Sequence, residues 1–319
     1  MPFVRRGSNE EVRGQRMLYR RFVALLATIL YLLVALPVPG AHAAKKGPNA
    51  AKYFAKAESL SRYVDLPNYM QFRYYAQNDA LWNRMVYEKQ GSKKYRPFGD
   101  GGCCPTSLAI ALMQLVEPED LKRLADYAKE PYSFCQHSVN RYFCSEKCTR
   151  FTPKTDEDWV RMLPLVLADF AMGNNTYNVA SRTEEKGTEI RFIRYVAKVF
   201  GLKYSSGRSY EDALAAIRDG DAAVIAYCYK GSSLTNGGHY VALVHVDDEY
   251  LYVLDPFYRE QYDTNFADTL IQLEPGVIAI RHKDVRYASF ANFIILRHEV
   301  ERQPIKQGFR AMPDWMPGD

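Results

Sequence analysis

The chain has 319 residues, 47% of them hydrophobic and 13% aromatic, enough to bury one large core or two modest ones. Its formal charge of +5 sits mostly in residues 1–43, where six arginines face two glutamates, and the remainder is close to neutral. That balance excludes a nucleic acid or another polyanion as the expected partner.

Arg5, Arg6, Arg13, Arg16, Arg20 and Arg21 precede an unbroken apolar run from Phe22 to Leu36, which Pro37 and Pro39 interrupt. Ala41-His42-Ala43 then supplies small residues at the two positions a signal peptidase reads. Residues 1–43 are therefore expected to be a secretory signal peptide, and the mature chain to be secreted or held in the cell envelope. The run of about 15 residues is short for a bilayer span. Membrane contact is expected to be transient, with an uncleaved anchor as the alternative.

Residues 44–66 form a polar, alanine- and lysine-rich arm with moderate helical spacing at Tyr53, Ala57 and Leu60. A domain is expected over 67–300. Its aromatic opening, Tyr74 to Tyr87, carries Gln77 as the odd polar residue, and Glu88 to Gly102 is a loop by composition. A helix follows to about Val116, then a short one over Pro118–Lys129. Thr155–Met172 reads as a helix with Thr155 and Asp158 as a capping box, and Glu189–Phe200 as another. Ser209 caps a further helix that Gly220 ends.

From Ala222 the period drops to two. Strands are expected at Ala222–Cys228, His239–Val246, Tyr250–Leu254, Val277–Arg281 and Phe293–Leu296, joined by short turns. Helices followed by a mainly antiparallel sheet make an α+β arrangement. An irregular tail occupies 301–319.

An exported chain can keep disulfides. Cys135, Cys144 and Cys148 cluster between Tyr132 and Thr152, and a bridge is expected within that cluster with the pairing open. With His137 the cluster has the spacing Cys-x-His-x6-Cys-x3-Cys, which fits no standard zinc finger or ribbon, so no metal or cofactor is expected.

Chemistry concentrates at Gly101-Gly102-Cys103-Cys104-Pro105-Thr106-Ser107-Leu108. Pro105 suits a first helical turn, and Leu108, Ala111, Leu112 and Leu115 share one face. A cysteine at a helix start favours the thiolate; a buried structural thiol is the plainer alternative. Thiol chemistry also needs an imidazole and a group to orient it. His239 opens a strand behind Asn236-Gly237-Gly238, and Asp255 ends the next strand before Pro256. If the two strands form a hairpin about Asp247-Asp248, their far ends bring His239 and Asp255 side by side. Otherwise His239 is a satisfied edge histidine and Asp255 a turn cap. His245 is the competing imidazole, on the same face as His239 by period two but roughly 20 Å along the strand.

Gln77 with Asp79 and Trp82, then Gly102-Cys103-Cys104-Pro105-Thr106-Ser107-Leu108-Ala109, Gly238-His239-Tyr240 and Asp255-Pro256 together resemble the bacteriocin-leader-processing type of cysteine peptidase. That family lies in the papain-like superfamily, and the closer likeness is to exported, stand-alone members without a transporter. The resemblance spans about Tyr74 to Arg297 and implies a papain-like fold with its nucleophile at a helix N-terminus. It implies Cys103 as nucleophile, His239 as general base and acid, Asp255 as the group orienting the imidazole, and Gln77 as an oxyanion donor. Asp79 and Trp82 would be scaffold. Cys104 departs from the family's usual glycine and could form a vicinal disulfide, pair with a cysteine elsewhere, or point inward as a small hydrophobe.

The expected function is a secreted cysteine peptidase, a monomer acting on a peptide or protein. The alternatives are an amidase or acyltransferase on the same fold, or an inactive surface binding protein.

Overall fold

The computed structural model describes residues 59–67, 70–87, 97–128, 131–135, 137–139, 150–172, 188, 190–260, 262 and 269–299. The leader expected over 1–43, most of the arm, Cys144, Cys148 and the tail over 301–319 lie outside the described residues. No described helix is long and apolar enough to cross a membrane.

The described chain opens on a hairpin of β1 (Arg62–Leu66) and β2 (Met70–Tyr74), paired from Arg62↔Tyr74 to Leu66↔Met70. The end of the arm, expected from its spacing to be helical, is therefore strand. Val64, Leu66, Phe72 and Tyr74 are buried from it, an alternation that the polar residues between them obscure in the sequence. Buried Asp79 anchors the hairpin. Its Oδ2 accepts from the Ser59 hydroxyl at 2.7 Å and from the Ser61 N–H and hydroxyl at 3.1 Å, and its Oδ1 from the Leu81 N–H at 2.9 Å. Trp82 is buried and donates its indole N–H to Ala76 O at 2.9 Å. Both residues are scaffold in this geometry.

A single turn, α1 (Phe98–Gly101), leads into α2 (Cys103–Leu112). Every residue of α2 from Cys104 to Leu112 is buried, so the expected apolar stripe is in fact a helix covered all round, with β5 on one side and α3 on another. Pro118–Tyr127 is a run of 3-10 turns rather than an α-helix. Next come α3 (Asp156–Met172) and α4 (Arg191–Val199). The Asp158 N–H donates to Thr155 Oγ1 at 3.1 Å while the Thr155 N–H donates to Asp158 Oδ2 at 3.2 Å, so the capping box at the start of α3 closes from both sides. After β3 (Leu202–Gly207), α5 (Tyr210–Asp219) begins with the Asp212 N–H bonded to Ser209 Oγ at 3.0 Å and ends at Gly220 with φ of 73°.

The remaining strands are β4 (Ala222–Cys228), β5 (His239–Val246), β6 (Tyr250–Leu254), β7 (Leu270–Glu274), β8 (Val277–Arg281) and β9 (Phe290–His298). With β3 they form one antiparallel sheet of seven strands in the order β3-β9-β4-β5-β6-β8-β7. One face packs on α2, α3 and α4 to make the larger core. The other face is covered by α5 and the turns over His282–Ala288. The fold is α+β, with a large antiparallel sheet between helices.

One irregularity sets the site. The β5–β6 register runs Val246↔Leu251 and His245↔Tyr252, then shifts so that Leu243 faces Val253 and Ala242 faces Leu254. This bulge adds one residue to β5 and reverses which face each later side chain takes. Without it Asp255 would stand opposite Ala242, on the face away from His239; with it Asp255 shares the face of Val241 and His239. The same bulge turns His245 to the opposite face, against the Tyr252 ring at 5.3 Å. Period-two counting had placed His245 on the face of His239, and it does not lie there.

Gly276 braces the far end of β6. Its φ is +82°, a Cβ there would lie 2.3 Å from Tyr74 Oη, and its carbonyl accepts the Asp255 N–H at 2.9 Å. Tyr74 cannot retreat freely, because its hydroxyl donates to Asp255 O at 2.9 Å. Gly276→Ala is expected to cost about 1–3 kcal/mol, read as a lower urea midpoint. A midpoint within error of the parent chain would show that the turn tolerates a side chain.

Candidate active site

Cys103 is the first residue of α2, and Gly102 before it is required by closeness. A Cβ on Gly102 would lie 2.6 Å from the Phe98 ring and 2.7 Å from Phe98 O. The helix is tied to the sheet by Ser107, whose hydroxyl donates to Tyr240 O at 2.9 Å. That bond fixes the start of α2 against the start of β5, where His239 stands.

The His239 ring is buried, and its Nε2 lies 2.6 Å from Asp255 Oδ1. Its other nitrogen, Nδ1, is not engaged by Asp255, and the imidazole lowers the pKa of the Cys103 thiol. The hairpin expectation thus holds in space for His239 and Asp255, and of the two neighbouring thiols the imidazole acts on that of Cys103.

The electrostatics follow from these contacts. Burial alone would raise the Cys103 thiol pKa. The hydrogen bond and charge of His239, with N–H groups of Tyr240 and Cys104, outweigh it and bring the pKa below the ordinary thiol value. Burial also opposes charge on His239, yet the charge and hydrogen bond of Asp255, then those of Cys103, push its pKa up to about 10. Asp255 is fully buried, which favours its neutral form. The His239 charge and bond, with the Arg259 charge and the Tyr262 hydroxyl, nevertheless hold it below the usual carboxylate range. The three shifts run in the direction that favours charge on each group.

Gln77 is 3% exposed and is pinned at two points. Its backbone N–H donates to Pro256 O at 2.6 Å, beside Asp255, and its side-chain Nε2 donates to Gly99 O at 2.6 Å, in the turn ahead of Cys103. A flipped amide would set two oxygens against each other there, so Nε2 must face Gly99. One amide N–H remains, and Oε1 is buried without a protein partner. Asn78 completes the brace: its Nδ2 donates to Tyr258 O and its Oδ1 accepts from the Tyr258 N–H, both at 2.9 Å. Sequence reasoning overlooked Asn78. It also overlooked Tyr262, whose hydroxyl donates to Asp255 Oδ2 at 2.7 Å.

The remaining cysteines and histidines fall elsewhere. Cys104 is fully buried and its pKa is well above the ordinary thiol value, first through desolvation and then through the neighbouring Cys103 charge. It behaves as a small core residue. Cys103, Cys104 and Cys228 carry free thiols, and no disulfide joins two described cysteines. The expected bridge is therefore not found there, and its partners Cys144 and Cys148 lie outside the described residues. A vicinal bridge has no support from the backbone, since consecutive helical side chains point about 100° apart. Cys135 Sγ lies 4.0 Å from His137 Nδ1, and no group of three metal-ligating residues occurs among the described residues. His282 is engaged by the Tyr210 hydroxyl at 3.1 Å and Asp247 O at 2.9 Å, and exposed His298 ends β9.

A helix that presents its first cysteine to an imidazole at the end of an antiparallel sheet is the arrangement of a cysteine-peptidase-like protein. The profile of the Peptidase_C39 like family matches residues 69–272, well over half of the chain, and the chain belongs to that family. Among solved structures it is similar to the peptidase domain of Streptococcus ComA, described as a bi-functional ABC transporter involved in a quorum sensing pathway. That likeness is 19% in identity, covers 37% of this chain and 72% of the other, and has a TM-score of 0.25, too low to decide anything further. A search of curated proteins found no match.

Proposed function

We propose that the protein is an exported cysteine peptidase that hydrolyses peptide bonds by acyl transfer to water. The observation that carries this reading is the buried His239–Asp255 pair, Nε2 on Oδ1 at 2.6 Å, beside a Cys103 whose thiol pKa the same imidazole lowers. The Cys103 thiolate attacks the substrate carbonyl. His239 gives its Nδ1 proton to the leaving amine as the carbon–nitrogen bond breaks, and then takes a proton from water as water releases the acyl group. Asp255 holds the ring in the required tautomer. The spare N–H of the Gln77 amide and the Cys103 backbone N–H stabilise the oxyanion. A peptide or protein is the substrate, and one chain carries the whole site.

Export, and the kinship with relatives that act without a transporter, rest on the leader-like pattern of residues 1–43. The same site chemistry serves amidases and acyltransferases, and product analysis separates them. Incubation with a peptide library, with and without an added primary amine, is expected to give free carboxyl termini in both cases. Products carrying the amine in place of the carboxylate would make the protein a transferase instead.

A further inference from the structure

The Asp255 carboxylate has more donors than the orientation of one ring requires. Oδ1 accepts from His239 Nε2 and from the Phe257 N–H at 2.8 Å, while Oδ2 accepts from the Tyr262 hydroxyl at 2.7 Å. Tyr262 is itself held in place. The Arg259 guanidinium lies 5.0 Å from its ring centroid and 5.1 Å from that of Phe257. The Asn78–Tyr258 pair of bonds ties the same segment to Gln77. We propose that Tyr262 is a positioning residue of the peptidase reaction, its hydroxyl sharing the Asp255 charge so that the His239 imidazolium stays acidic enough to protonate the leaving amine. The inference rests on the catalytic roles proposed above.

A hydroxyl donates more strongly to a carboxylate whose charge is not yet neutralised, which here means when the His239 ring is neutral. The Tyr262 bond therefore favours the neutral ring over the imidazolium, and holds the ring's pKa below the value Asp255 alone would impose. An acid too weak for its task transfers its proton poorly to the departing nitrogen. The other groups facing the pair do not take this role. Cys103 from α2 favours the imidazolium. Cys228 from β4 is kept a neutral thiol, first by burial and then by the charges of Asp255 and Cys103. Tyr74 from β2 gives its hydroxyl to the Asp255 carbonyl rather than to the carboxylate. Arg259 acts on Asp255 through its charge and stacks on the neighbouring rings.

The test is a pH titration of the His239 ring by NMR on the full chain labelled with 13C-histidine, the signal being assigned by its loss in His239→Gln. Tyr262→Phe keeps the ring and its stacking on Arg259. It is expected to raise the His239 midpoint by roughly half a pH unit or more and to lower kcat for a peptide with an unactivated leaving amine. Replacing Tyr262 by 3,5-difluorotyrosine, a stronger donor, is expected to move the midpoint the opposite way, which keeps the test valid should Tyr262→Phe fold poorly. A midpoint that stays put or falls in Tyr262→Phe, or that is unmoved by the fluorinated ring, overturns the inference. If instead His239 of the unaltered protein titrates as an isolated imidazole, insensitive to Cys103→Ala, the catalytic roles fail first.

Discussion

Cys103→Ala is expected to abolish peptide hydrolysis, lowering kcat/KM by roughly 10,000-fold or more, while the protein stays folded. No other described group replaces it. Cys104 faces the core with a raised pKa, and Cys228 is buried on β4 with its thiol likewise held neutral. Folding should survive because Cys103 is only half-buried and because α2 is fixed through Ser107 and the buried residues from Cys104 onward. Cys104→Ala supplies the contrast. It removes a buried sulfur and should lower the unfolding midpoint by about 1 kcal/mol of stability while turnover persists. Steady-state kinetics beside urea unfolding separate the two outcomes. Full activity in Cys103→Ala would remove the nucleophile from the mechanism.

The second large effect is at Asp255. Asp255→Asn preserves shape but not charge, and should reduce kcat/KM on the order of 1,000- to 10,000-fold by setting the imidazole in the wrong tautomer. It should also change how stability responds to pH. Asp255 and Cys103 push the His239 pKa in the folded chain up to about 10, above the ordinary histidine value of 6.5. The stabilising contribution of His239 is therefore complete below about 6.5 and is lost as pH rises through about 10. Asp255 is shifted the other way, so its contribution is present above the usual carboxylate pKa and is lost as pH falls through its lowered value. Cys103, whose pKa is lowered, contributes in the opposite sense up to the ordinary thiol range. In a Cys103→Ala background, urea midpoints should therefore decline from pH 7 to pH 10, and those of the same background carrying Asp255→Asn should be lower at pH 7 and flatter across the range. Parallel curves for the two proteins would mean that the pair does not couple to folding.

Much of this site could be read from local chemistry. Glycines, a cysteine pair and a helix-compatible proline marked the candidate nucleophile, and turn residues at both ends of two apolar strands marked His239 and Asp255. Gln77 carried no pattern of its own and entered only by resemblance. The bulge between Leu243 and His245 was invisible, because nothing in Ala242-Leu243-Val244-His245 breaks an alternation of faces until the strand is paired. It nevertheless decides which imidazole serves Asp255. Tyr262 was missed for a similar reason: seven residues past Asp255 in a polar segment, it reaches the carboxylate only after the chain turns back.

The fold shows the same division. Strands buried on both faces, β4, β5, β6 and β8, were found within a residue or so. The edge strands β3 and β7 were not, since Leu202–Gly207 is largely exposed and Leu270–Glu274 has only one buried side chain. The central helix α2 was found, but its burial on all sides was underestimated. A run of small and apolar residues shows helix period poorly when every face meets a neighbour.

The central claim is that His239 holds Cys103 as a thiolate, and the pH dependence of Cys103 alkylation tests it most directly. Iodoacetamide labelling, followed peptide by peptide by mass spectrometry, should be fast at Cys103 well below the pH at which an ordinary thiol ionises. The same reaction in His239→Ala should shift to the ordinary thiol range. Coincident profiles for the two proteins, or labelling that begins at Cys104, would contradict the claim.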